Sequence, residues 1–185
     1  MANHLRRFRD YDEHDVVNLL AYNGTAADNG LLVAVVGSNG GWKNTDELGL
    51  TETAGNSYGN TVSQRYNVKG LVTAAGSGSN VMGMTLQQVA ETDENGEKLI
   101  YNPRKAIEMG VVVSGQAVPI ATRGIFLYNG VQGSGTTAVA AGSKAYAGSN
   151  GLVSTLAGST SENPQVGWFL GGADGNGDCL VRISL

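Results

Sequence analysis

The chain has 185 residues, a formal net charge of −4, 15% charged residues and 28 glycines. That length suits one domain with a single core, and the interspersed charges leave no footprint for nucleic acid or an anionic membrane. Three prolines and the lack of a three-residue glycine period exclude collagen, and the lone Cys179 excludes an intrachain disulfide or a thiolate zinc site.

Residues 1–15 carry Arg6, Arg7, Arg9, Asp10, Asp12, Glu13 and Asp15 without an apolar segment, so they read as a charged arm with no signal peptide. Its mixed signs suit salt bridges better than phosphate binding. Such an arm is either a solvated terminus or an extension that a partner orders. Residues 16–185 read as a single β-rich domain. Asp15 to Tyr22 ends at the turn dipeptide Asn23-Gly24 and reads as a first strand. The continuous apolar run at 30–36 predicts a strand buried on both faces.

Residues 37–67 are crowded with Gly, Asn, Ser and Thr and form a long polar excursion, a place where loops carry function or meet partners. Trp42, Tyr58 and Tyr66 within it are candidate interface anchors, or a satellite cluster packed beneath the loop. Strand signals return at 68–74 and 81–91. Asn95-Gly96 predicts a hairpin that joins the second of these to residues 98–101. Asn102 as cap, Pro103 at the first position and Gly110 at the exit predict one short helix over 103–109. The Val-, Ile-, Phe- and Tyr-rich runs 110–120 and 124–128 predict a strand pair or a bent strand. A second Gly-, Ser- and Ala-rich excursion covers 130–161. The chain closes with a hairpin of 165–170 and 179–185, in which Val181, Ile183 and Leu185 alternate with Arg182 and Ser184. The fold expected is mainly β: a small barrel or sandwich of short antiparallel strands, one helix and long Gly-rich loops.

Catalytic chemistry has little support. Asp174-Gly-Asn-Gly-Asp178 begins like a calcium loop, but Cys179 stands where that loop needs glycine and Leu185 where it needs glutamate, so a tight hairpin is the better reading. His4 and His14 both lie in the arm and read as solvated. Glu91, Asp93, Glu94 and Glu97 surround a turn, where solvated carboxylates are expected. No phosphate loop or dinucleotide-binding pattern is present, no apolar run approaches the roughly 18 residues of a spanning helix, and no cofactor or metal site is expected. Cys179, beside Leu180 and Val181, reads as a small buried hydrophobe.

The segment GMTLQQVAETDENGEKLIYNPRKAIEMGVVVSGQAVPIATRGIFLYNG, the arm RFRDYDEHDVVNLLAYNG and the ending VGWFLGGADGNGDCLVRISL together resemble the head decoration, or capsid cement, proteins of tailed bacteriophages, particularly podoviruses. The resemblance implies a compact β domain that binds the outside of the shell, self-associates as a homotrimer, and has the major capsid protein as its partner. It implies no enzyme and a location on the virion surface, after synthesis in the host cytoplasm. Arg6, Arg7, Arg9, Asp10 and Asp12 would then pair with the shell or a neighbouring subunit, with Trp42 and Tyr58 as further contacts. The rival class is a receptor- or carbohydrate-binding knob, in which Trp42, Tyr58 or Tyr128 would stack on sugar rings.

Overall fold

An apolar run with no alternation has no wet face to offer, and residues 31–36 are such a run. In the computed structural model, which describes residues 5–9, 11–36, 70–76, 78–132, 139–157 and 163–185, this run forms β4 (Leu32–Val35). Leu32, Val33 and Ala34 are all buried. The strand lies inside a six-stranded sheet with β2 (Val16–Val17), β3 (Ala21–Tyr22), β5 (Leu71–Ala74), β6 (Val81–Thr85) and β9 (Ile120–Ala121), in the order β2-β9-β6-β4-β5-β3. Its two edge strands, β2 and β3, are separated in the chain only by residues 18–20. Four Cα steps reach at most about 14 Å, so the sheet has to curl until its edges approach each other. The Ala21–Ala117 bridge and the Val118 amide donating to the Leu20 carbonyl at 2.9 Å fix that curl.

A second sheet has seven strands. They are, from edge to edge, β1 (Leu5–Arg7), β10 (Arg123–Tyr128), β15 (Cys179–Ser184), β14 (Gln165–Phe169), β12 (Lys144–Ala147), β13 (Val153–Ser154) and β11 (Val131–Gln132). Alternation along β15 sends Cys179, Val181 and Ile183 inward and Arg182 outward, as expected, but Leu185, grouped with the inward residues by the pattern, lies past the end of the strand and is exposed. The inner faces of the two sheets share one core that includes Leu32, Met84, Phe126, Tyr128, Phe169, Val181 and Ile183. Each large side chain there contributes about 2–3 kcal/mol against chain entropy. At Gly167 an added Cβ would collide with the carbonyl oxygen of Arg182, so only glycine lets β14 approach β15 at that point.

The far side of the six-stranded sheet is also covered. Val33, Val72 and Ile120 meet Leu20, Val118 and the parallel pair β7 (Gln88–Ala90) and β8 (Val111–Val113). Beyond the pair lies α1 (Pro103–Met109), packed through Leu99, Ala106 and Val113. Asn102 caps the helix by accepting from the Lys105 amide at 3.3 Å, and Gly110 leaves it in the left-handed region. The mainly β fold with one helix is thus the one expected, its two sheets curled as half-barrels.

Several elements differ from the sequence reading. Asp12 and Asp15 form a capping box that starts a 3-10 turn at Glu13–Asp15, so Asp15 to Tyr22 is two short strands on opposite edges of one sheet. The run 81–91 divides at Leu86 and Gln87 into β6 and β7, which join different sheets. After the single Thr92–Lys98 bridge the chain coils into a 3-10 turn at Leu99–Tyr101, so residues 98–101 are no hairpin strand. The strands after the helix do not pair with one another: β8 joins β7, β9 joins β2 and β6, and β10 joins β1 and β15. Within 130–161 the described residues supply β11, β12 and β13, where a loop was expected. Finally, β15, read only as one arm of the closing hairpin, also pairs with β10 and is interior, so losing the C-terminal residues would split the large sheet.

Candidate functional site

The arm is part of the large sheet. Leu5 is buried opposite Tyr128, while Arg6 and Arg7 pair with Leu127 and Phe126 of β10 and remain exposed. The guanidinium of Arg6 donates to the carboxylate of Asp178, just ahead of β15. Arg7 lies over the Tyr11 ring at 5.8 Å, and Tyr11 tilts against Phe126 at 6.2 Å between centroids. Arg9 is exposed, and its amide and that of Phe8 both donate to the Ile125 carbonyl. Asp12 is spent on the 3-10 turn, accepting from the His14 amide at 3.3 Å. The structure therefore places Arg6 and Arg7 on one edge strand, where their side chains take opposite faces, with Arg9 just beyond it, while Asp10, Trp42, Tyr58 and Tyr66 lie outside the described residues. Tyr128 is fully buried and its hydroxyl accepts from the Val153 amide, so it cannot stack on a sugar.

Register extends this edge into a face. Lys144 is opposite Trp168, Trp168 opposite Arg182, and Arg182 opposite Ile125, so four strands place these side chains in one outward row. Direct cross-strand partners share a face, with Cβ atoms about 5 Å apart. Arg123, two residues from Ile125, joins Ser184 on the same side. Arg123, Ile125, Arg182 and Ser184 line an open cleft of about 330 Å³. Sequence alternation had marked Arg182 and Ser184 as wet. Lys144, Trp168 and Arg123 escaped it because only strand pairing makes them neighbours.

The carboxylates around residues 91–97 serve structure. Asp93 Oδ1 accepts from the amides of Asn95 at 2.8 Å and Glu97 at 2.9 Å; the Glu97 amide is the main cause of its pKa falling below the usual 3.8. Glu91 pairs with Lys98 at 3.1 Å. Glu94 pairs with Lys105 at 2.7 Å, and that hydrogen bond lowers the carboxylate and raises the ammonium. Asp174 repeats the Asp93 pattern, accepting from Asn176 at 2.8 Å and Asp178 at 3.0 Å, which makes 174–178 the tight turn expected. The shared spacing Asp-x-Asn-Gly-acid at 93–97 and 174–178 was a sequence signal for two copies of one turn.

Elsewhere, Leu99, Pro103, Ile107, Val112 and Ala117 line an apolar groove of about 330 Å³ beside α1. Among the described residues no helix is long and apolar enough to cross a membrane. Compared with known protein families, curated proteins and solved structures, the chain gives no match.

Proposed function

We propose that this protein is a structural virion protein that binds the outer surface of a tailed-phage capsid and stabilises the shell. In this reading it is not an enzyme, its partners are the major capsid protein and two further copies of itself, and it engages neither nucleic acid nor membrane. The observation that supports it is the outward face of the seven-stranded sheet, where a row of basic and apolar side chains runs across four strands beside an open cleft. Such a surface suits lying on another protein better than enclosing a small substrate. Arg6, opposite Leu127 at its edge, continues the same surface. Three linked subunits would raise the effective concentration of each contact, so modest individual contacts suffice.

The test is to measure the mass of the purified protein by light scattering and then to sediment it with undecorated capsids. A trimer that saturates capsids at a symmetry-related ratio is the expected result. A folded protein that binds no capsid overturns the reading. A second reading, a carbohydrate-binding knob on the virion, draws on the half-exposed Trp168 next to Arg182, an aromatic platform beside a hydrogen-bond donor. A glycan array separates the two, because a cement protein gives no signal there.

A further inference from the structure

The charge of this protein is unevenly placed. Its net charge is negative, yet the strands of the large sheet contain Arg6, Arg7, Arg123, Lys144 and Arg182 and not one Asp or Glu. The strands of the six-stranded sheet carry no charge at all. Asp178 answers Arg6. Among the described residues no carboxylate pairs with Arg123, Lys144 or Arg182. Three uncompensated cations on one face of an acidic protein define what it lacks: a set of carboxylates from elsewhere.

The neighbours of these cations narrow the choice. Ile125, Leu127, Leu180 and Leu170 occupy the same side of the sheet, the first three half-buried and Leu170 exposed. Apart from the Ser184 hydroxyl, the polar groups of the row and its cleft are donors: two guanidinium groups, an ammonium and the Trp168 indole. A neutral sugar needs acceptors as well as donors, whereas carboxylates only accept. Spacing adds a further match. Arg123 and Arg182 are diagonal neighbours across β10 and β15, which sets them about 7–8 Å apart. Alternate side chains on one face of an extended chain are separated by about 6.6–6.8 Å. Two acidic residues flanking one other residue thus fall in register with the two arginines, each free to receive a bidentate pair.

We infer that the outer face of the seven-stranded sheet docks an extended, acidic segment of a partner protein, with carboxylates at alternate positions on Arg123 and Arg182 and its apolar side chains on Ile125 and Leu180. The inference rests on the reading of this protein as one that lies on a protein surface, and it names the chemistry of that surface: an acidic strand or loop of the shell.

The test uses the full chain and two probes. The first is a fluorescent peptide alternating Glu and Leu, with an isosteric peptide of Gln and Leu as control. Anisotropy is expected to show binding of the Glu peptide that weakens as salt rises, and R123E/R182E is expected to weaken it by at least about tenfold, the loss of one charge-assisted pair. Both side chains are exposed, and R123Q/R182Q serves if charge reversal disturbs folding. Equal binding of the Gln peptide, or equal binding by the variants, overturns the inference. Tighter, arginine-dependent binding of a sulfated oligosaccharide overturns it in favour of an anionic glycan. The second probe is undecorated capsids. If wild type and variant sediment with capsids alike, this face is not the contact although the virion reading stands. If the Glu peptide binds through the arginines but no capsid does, the face stands and the virion reading falls.

Discussion

Arg6 and Asp178 are 172 positions apart in the chain and hold each other across the edge of the large sheet. The pairing is asymmetric, because the arginine side chain is 59% exposed and the aspartate only 11%. Removing the arginine leaves a largely enclosed carboxylate without its cation, while removing the carboxylate frees an arginine that water already solvates. Arg6→Ala is therefore expected to cost about 1–3 kcal/mol and Asp178→Asn less than that. Chemical denaturation of both single variants and the double variant checks this. Equal single effects that simply add would show that the pair does not couple. Amide exchange along β1 is expected to quicken in Arg6→Ala, because the pair ties this edge strand across β10 to the start of β15.

Gly167 and Gly110 are expected to respond differently to alanine. At Gly167 the new methyl meets the carbonyl of Arg182 in an interior strand, so separation of β14 from β15 is the only relief, at about 3 kcal/mol or more. At Gly110 nothing lies within 4 Å and only the left-handed backbone is strained, which costs about 1 kcal/mol. Thermal melts of the two variants, ranked against wild type, test the difference.

The turn at 93–97 is expected to loosen in acid. The folded-state pKa of Asp93 is depressed below the ordinary 3.8, chiefly by the Glu97 amide, so the stabilisation is complete above the unfolded value and is lost as pH falls through the folded one. The amide resonances of Asn95 and Glu97, followed from pH 6 downward, should titrate together with an apparent midpoint below 3.8. A midpoint at or above that value would show that the amides do not favour the carboxylate.

Cys179 is expected to be inert in the folded protein. The side chain is 1% exposed, its thiol donates to the Tyr128 carbonyl at 3.1 Å, and burial pushes its pKa up to about 11. At pH 8 only about one part in a thousand is thiolate, and that part is screened from reagents. Iodoacetamide should label the chain only after denaturation. Rapid labelling of native protein would contradict the packing between β10 and β15.

Legibility in the sequence follows the range of the interactions. The helix at 103–109 could be read because Asn102, Pro103 and Gly110 act on their own neighbours, and β15 because alternation is a property of six consecutive residues. The destination of a strand is set by partners far along the chain, so the division of 81–91 between two sheets and the interior position of β15 could not be seen. The same limit applied to the site. Arg6 was marked as a contact residue, but its partner Asp178 lies beyond any local pattern. Lys144, Trp168 and Arg182 form a row only after β12, β14 and β15 are laid side by side.

Among the described residues the large sheet ends in three residues at one margin and two at the other, β1 and β11. A margin that brief offers few hydrogen bonds to an incoming strand, and at β1 the newcomer would also have to displace two arginines and their water. Among the described residues, what the large sheet offers its surroundings is therefore its row of outward side chains and not the backbone at its rims.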